Sequence, residues 1–257
     1  MSTLALEIRK HRNSKLPFLV LGLALFETAW LAAMIVVAAS RSPQGIQALK
    51  TFSLYNYMNL QWLLLGPTIA FLASRIAGVD QEGRMGQVFR ALGESPRRQF
   101  MTKLILLTGL GTLISMIMLI SAAFIGTKSG LVDSPSYAST FWVIIALTIV
   151  SVFAISAVQL SLSILLEQPS AGVIIGITGT LITSFLPYLN MSLFGWISPW
   201  GLLVAGTPYE LITAENSTGA DFALASNPWL LVGVAAAIAL TWAFVSAQLV
   251  VHKEEKA

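Results

Sequence analysis

No cysteine occurs in the 257 residues. Disulfides, thiolate metal sites and thiol nucleophiles are excluded, and the composition carries no record of redox compartment. Charge is also scarce. Asp, Glu, Lys and Arg make up 11% of the chain, against about a quarter in soluble domains. The two histidines, His11 and His252, lie at opposite ends of the sequence, which argues against metal- or imidazole-based catalysis inside a folded core. No G-x-x-x-x-G-K-[ST] phosphate loop is present, and the spacings of Gly78, Gly83 and Gly86 do not reproduce it.

What the chain has instead is apolar length. Hydrophobic residues make up 56% of it, gathered into six runs at 17–39, 60–79, 104–126, 140–165, 170–190 and 229–251. Each run has about 20 residues or more, enough at 1.5 Å per residue for a ~30 Å hydrocarbon core. Single apolar spans must be helices, because lipid cannot satisfy open strand edges. The expected fold is an all-α polytopic membrane protein, a single six-span domain over 1–257. Pro67 and Pro187 are candidate kinks.

The net charge of +3 matters less than its distribution. Arg9, Lys10, Arg12, Lys15, Arg75, Arg84, Arg90, Arg97, Arg98, Lys103, Lys253 and Lys256 fall on one side of the six-span scheme. Arg41, Lys50 and Lys128 fall on the other. Basic residues favour the cytoplasmic side, so both termini and the connector between spans two and three are expected there. The first 40 residues imitate a signal peptide, with a basic start and Ala38-Ala39-Ser40 near the end of the apolar run. That run is too long and holds Glu27, so the expectation is a retained span. Between spans five and six, Trp196-Ile197-Ser198-Pro199-Trp200 and the apolar Leu202-Leu203-Val204-Ala205 read as short helices at, or dipping into, the outer leaflet, since Trp favours the interface. A plain external loop is the competing reading, from the polar stretch 213–221.

Three features are candidates for function. In the connector Asp80–Lys103, Met85, Val88, Phe89 and Leu92 recur at helical spacing and form an apolar stripe. Ser95-Pro96 is expected to end that helix. Such a helix either lies on anionic lipid or is presented to a protein groove. Glu27, in the middle of span one, is expensive in a bilayer, by about 2.5–3.5 kcal/mol if it resembles Asp. It is either a proton site or a neutral, hydrogen-bonded group inside the bundle. Gly172, Gly176 and Gly179 in span five allow close helix approach, between subunits or within one.

The acidic Asp80 and Glu82 after span two, the stretch Gly83–Gly93, then Pro96, Arg97/Arg98 and Lys103 entering span three resemble the permease subunits of ABC-2 type transporters. The start Leu4-Ala5-Leu6-Glu7-Ile8-Arg9-Lys10, followed by Lys15-Leu16-Pro17, resembles them too, most of all the branch around lantibiotic immunity and bacitracin export. The resemblance covers nearly the whole chain. It implies an N-terminal amphipathic helix before span one and a coupling helix in the connector, with Glu82, Arg84, Met85, Val88, Phe89, Arg90, Leu92, Arg97 and Arg98 as the contact to a separate ATP-binding subunit. Two such ATPases would carry ATP and Mg, leaving this chain without cofactor or catalytic residues. The resemblance further implies a second permease, identical or paralogous, pairing through spans one and five, in a bacterial cytoplasmic membrane.

The function expected from this resemblance is export of an amphiphilic or peptide antimicrobial. Membrane lipid is the other expected partner, and no nucleic acid is. The rival readings are a proton-coupled secondary transporter using Glu27, without the internal repeat such carriers show, and a non-transporting anchor or sensor subunit of an ATPase complex.

Overall fold

The computed structural model describes residues 3–12, 14–41, 52–82, 95–128, 135–166, 168–212 and 221–256. Among these, six helices are long and apolar enough to cross a membrane. A short helix α1 (Thr3–Arg12) precedes α2 (Leu16–Arg41), α3 (Phe52–Glu82), α4 (Pro96–Lys128), α5 (Pro135–Leu165) and α6 (Pro169–Phe185). Three 3₁₀ turns follow at Pro187–Leu189, Ser192–Ile197 and Pro199–Gly201. The chain then forms the one-turn helix α7 (Leu202–Ala205), the strands β1 (Tyr209–Ile212) and β2 (Asp221–Leu224), and the last span α8 (Pro228–Lys256).

Local chemistry sets several of the helix ends. Ser14 accepts a hydrogen bond from the Leu16 amide through Oγ (3.1 Å) and donates one to the His11 carbonyl (2.8 Å), which links α1 to α2. Ser95 caps α4, its Oγ facing the Arg98 amide at 3.4 Å, and Pro96 is the first helical residue. Ser95-Pro96 thus opens α4, and the connector helix that the pair was expected to end lies outside the described residues. A serine cap followed by proline, whose missing N–H is harmless in the first turn, is a start signal as much as a stop. Arg97 and Arg98 lie in the first turn of α4 rather than in a linker before it. At the far end of α5, Lys253 donates to the Leu165 carbonyl at 2.8 Å. A lysine there satisfies a carbonyl that has no partner within its own helix.

The long helices differ in how deeply they sit. In α3 and α5, 61% of the most apolar window is buried, against 22% in α2 and α6. The first two are thus the centre of the bundle, and α2 and α6 show most of their apolar surface to the surroundings, as spans facing lipid do. Helix α3 runs against α2, α4, α5 and α6, and α5 pairs extensively with α8.

The segment between α6 and α8 is exposed at Tyr188, Leu189, Leu193, Phe194 and Ile197 and turns inward only in its second half. Asn190 adopts a left-handed backbone (φ 54°) that closes the first 3₁₀ turn, a conformation asparagine tolerates well. Leu202, Leu203 and Val204 are buried. Trp200 reaches between α5 and α6, where its indole packs on the α6 backbone at Gly179. A Cβ at Gly179 would stand 2.7 Å from the Trp200 ring, and one at Gly176 would stand 2.7 Å from Ala70 on α3. In the amide orientation that satisfies both its ends, Gln159 of α5 accepts from Trp200 Nε1 (3.2 Å) and the Gly176 amide (3.3 Å) and donates to the Gly172 carbonyl (3.1 Å). The three glycines thus lie against α3, α5 and Trp200 of the same chain.

The hairpin of β1 and β2, with Tyr209 opposite Leu224, does not follow from the sequence reading. Strands of four residues around a polar stretch are too short to show period-2 alternation. Tyr209 meets Tyr55 of α3 edge-on at 5.9 Å, which ties the hairpin to one end of the bundle.

The glycine contacts generate a stability prediction. Gly179→Leu forces a side chain into the Trp200 ring and should lower stability by about 1–3 kcal/mol. Gly22, whose added Cβ would meet nothing within 4 Å, should accept alanine with stability unchanged or raised by up to about 1 kcal/mol. Thermal unfolding of the purified protein in detergent reads both; equal Tm values for the two variants would contradict the packing described.

Candidate functional site

Two polar arrangements stand out in this apolar bundle. The first runs along α3, where Ser53, Asn56, Tyr57, Gln61 and Thr68 are all buried. Their spacings of three, four and seven place them along one side of the helix, over roughly 22 Å at 1.5 Å per residue. Tyr57 shares a hydrogen bond with Thr148 of α5 (3.2 Å), and Gln61 Nε2 faces the Met118 sulfur of α4 at 3.2 Å. Thr68 donates to the carboxyl of Glu27 on α2.

Glu27 itself is only 1% exposed. Among the described residues it forms no ion pair with a basic side chain. Its partner is a hydroxyl, which the sequence reading did not identify. The available signal was weak: a threonine mid-span, next to Pro67, at a depth comparable to Glu27.

The second arrangement lies at the end of the bundle where α1 meets α4. Glu7 of α1 is buried between two lysines. One carboxylate oxygen is 3.3 Å from Lys10 Nζ, and the other is 3.5 Å from Lys103 Nζ on α4. His11 Nε2 stands 3.6 Å from the same carboxylate. Both Glu7 and Lys103 are about 95% buried. Burial lowers the Lys10 amine below its usual range against the pull of Glu7. Burial also lowers the His11 imidazole, helped by the charge of Lys10. Both shifts favour the uncharged forms of Lys10 and His11 more than water does. Glu7 and Lys103 are nearly a hundred residues apart, and no periodicity links them, so the pair was not legible from the sequence.

This cluster bears directly on the connector. Glu82 ends α3 and Pro96 begins α4, so the connector hangs between two long helices. Arg97 and Arg98 are exposed on the first turn of α4. Lys103 sits two turns further in, clamped to α1. The remaining connector candidates, Arg84, Met85, Val88, Phe89, Arg90 and Leu92, lie outside the described residues. No three His, Asp or Glu side chains among the described residues are grouped to hold a metal ion.

The clamp can be measured by a double-mutant cycle. Glu7→Gln and Lys103→Met should each destabilise the protein. The pair together should cost less than the sum, with a coupling energy of about 1–3 kcal/mol. Thermal or chemical unfolding in detergent supplies the four stabilities. Strict additivity would show that the two groups do not interact.

A comparison with protein families finds one whose model, described as ABC-2 family transporter protein, matches residues 3–185. No curated protein and no solved structure matches the chain. The matched region takes in α1, the clamp, the connector, Glu27 with Thr68, and the glycines of α6. It covers well over half of the sequence and accords with six apolar helices and no phosphate loop, and the chain belongs to the ABC-2 family of transporter membrane proteins.

Proposed function

We propose that this chain is the permease subunit of an ATP-driven ABC exporter in a bacterial cytoplasmic membrane, with both termini and the connector in the cytoplasm. Two ATP-binding subunits, which hold the ATP and Mg, engage the connectors of two permeases, identical or paralogous. The cargo is an amphiphilic molecule or peptide antimicrobial, moved outward or off the membrane. No covalent chemistry is needed from this chain. The ATPase stabilises one conformation over another and the bundle follows.

The observation that carries this reading is the clamp beside the connector. A push on residues 83–95 acts on the end of α3 and the start of α4, and the Glu7–Lys103 pair makes α1 follow α4. Family membership supplies the context, and the excess of basic residues on the connector side supports the orientation. The inward-facing glycines leave the other face of α6 for the second permease. Ile174, Leu181, Ile182 and Phe185 are exposed there, and the proposed pairing uses that face.

Two measurements test the proposal. ATP-dependent flux should be seen in vesicles holding this chain and its ATPase, and the two should co-purify. With the connector helix seated in the ATPase, Val88, Phe89 and Leu92 are buried anchors and Arg84, Arg90, Arg97 and Arg98 rim charges, so the apolar side chains dominate affinity. Phe89→Ala combined with Leu92→Ala should reduce ATPase recovery at least tenfold and uncouple hydrolysis from flux. Arg90→Ala should have a smaller effect that fades with added salt. Full binding and coupling in the Phe89/Leu92 variant would reject the coupling role.

One observation favours a second reading, a proton-coupled carrier: Glu27 is a buried carboxyl with a single hydroxyl partner. The two readings separate cleanly. In the exporter Glu27→Gln keeps much of the flux and Glu27→Leu lowers it, because Thr68 loses its acceptor. In the carrier Glu27→Gln abolishes flux and Glu27→Asp retains it. Flux driven by a pH gradient without ATP would decide for the carrier.

A further inference from the structure

A 3₁₀ helix puts every third side chain on one edge. In the turn Ser192–Ile197, Phe194 and Ile197 share such an edge and are 55% and 70% exposed. Leu193 beside them is 80% exposed. A different edge is packed. Gly195 is buried, and a Cβ there would stand 2.7 Å from the Gly201 carbonyl oxygen. The turn thus shows large apolar side chains to the surroundings and its glycine to the protein, the reverse of a loop folded for water. Tyr188 and Leu189 of the preceding turn extend the exposed patch, with the Tyr188 ring tilted against Phe185 at 6.5 Å.

The depth of this patch follows from length. Helix α6 has 17 residues, about 25 Å at the helical rise, short of a ~30 Å hydrocarbon core. The apolar span continues to Leu189, so the first 3₁₀ turn completes the crossing and Ser192–Ile197 follows at the boundary. No Asp, Glu, Lys, Arg or His occurs between Glu167 and Glu210. The backbone suits this place as well. The amides of Leu189, Asn190, Met191, Phe194 and Ser198 donate to carbonyls three or five residues earlier, so these groups do not depend on water.

We propose that Tyr188–Ile197 inserts shallowly into the leaflet on the hairpin side, with Leu193, Phe194 and Ile197 among the upper acyl chains and Tyr188 at headgroup level. Tyrosine favours that level, and an interfacial element of this kind sits about 5–10 Å into the boundary. An exposed apolar patch marks a contact with a membrane or a protein. A protein partner is the poorer match, because protein interfaces surround an apolar centre with a polar rim and this segment offers no charge. The residues differ from those the sequence suggested for the leaflet, since Leu202, Leu203 and Val204 are buried in the protein. The insertion ties the segment that carries Trp200 to the lipid. The inference needs only that the chain crosses a membrane, and it stands whether or not the chain moves cargo with ATP.

A chain without cysteine lets single nitroxide labels report depth. Leu193→Cys and Ile197→Cys, each labelled in the full chain and reconstituted in vesicles of phosphatidylethanolamine and phosphatidylglycerol, are read by power-saturation EPR. Dissolved oxygen should reach both labels several-fold more readily than a water-soluble nickel chelate does. Leu240→Cys, at an exposed position within α8, gives the lipid-facing reference. Phe194→Cys decides the matter if either variant fails to fold. Easier access for nickel would place the turn in water. Poor access for both reagents would place it beneath a second copy of the chain. Either result would overturn the proposal.

Discussion

The buried carboxylate of Glu7 between Lys10 and Lys103 is the contact on which the mechanical layout of this protein depends. It ties the ten-residue helix α1 to α4, beside the link that Ser14 makes to α2. A helix of that length has little stability of its own. A buried ion pair adds little net stability compared with well-packed apolar groups, but breaking one leaves an uncompensated charge. Its consequence here is register: α1 has one seat, against the second turn of α4, and the start of α4 cannot move without it. The clamp therefore fixes the geometry of the segment that follows the connector.

Inside the bundle the same physics produces a different solution. Lipid-exposed polar groups are expensive, so the polar side chains of the central helices meet one another: Thr68 with Glu27, Tyr57 with Thr148, Gln159 with Trp200. Helix α3 carries most of these contacts, which explains why it is buried on so many sides while remaining the most polar of the long helices. The glycines of α6 belong to the same arrangement. They let α6 approach closely enough for Gln159 to reach backbone atoms at Gly172 and Gly176. They also leave room for an indole, so that the later part of the irregular backbone between α6 and α8, from Pro199 to Val204, packs inside the protein. Non-helical backbone is tolerated at membrane depth only when protein covers it or it lines a cavity.

How much of this the sequence shows depends on the range of each signal. A run of about 20 apolar residues is a strong local signal, and six apolar spans are found, although α3 begins at Phe52 rather than near 60; the fifth runs Ser170–Leu189, close to the expected 170–190. The start of α3 was missed because Ser53, Asn56 and Tyr57 dilute the hydropathy of a turn that is nonetheless buried, while at the end of span five Pro187 converts the last turn to 3₁₀ without shortening the span. The start of α4 at Ser95-Pro96 was not read from the sequence, because a serine before proline is as compatible with opening a helix as with closing one. Glu27 was legible as an expensive residue, but its partner was not. Thr68, Lys103 for Glu7, and Trp200 for Gln159 are long-range pairings that no period in the sequence encodes. The glycine spacing announced a close approach without naming the helix that approaches.

These pairings divide the molecule into two mechanical regions joined by α3. At one end Tyr55 packs on Tyr209, which holds the hairpin and the inward-turning segment in place. In the middle Thr68 fixes α3 to α2 through Glu27. At the other end α3 runs into the connector, and α4 returns from it under the clamp. A displacement of the connector in the proposed exporter acts on a helix held at two distant points. The helix must then tilt as a unit or give up one of its buried hydrogen bonds. Losing such a bond leaves a desolvated polar group, at about 1–3 kcal/mol, whereas sliding along apolar contacts with α4 and α5 exposes little. Tilting is the less costly response, and it carries motion from the connector to the Trp200 wedge and hairpin at the opposite end.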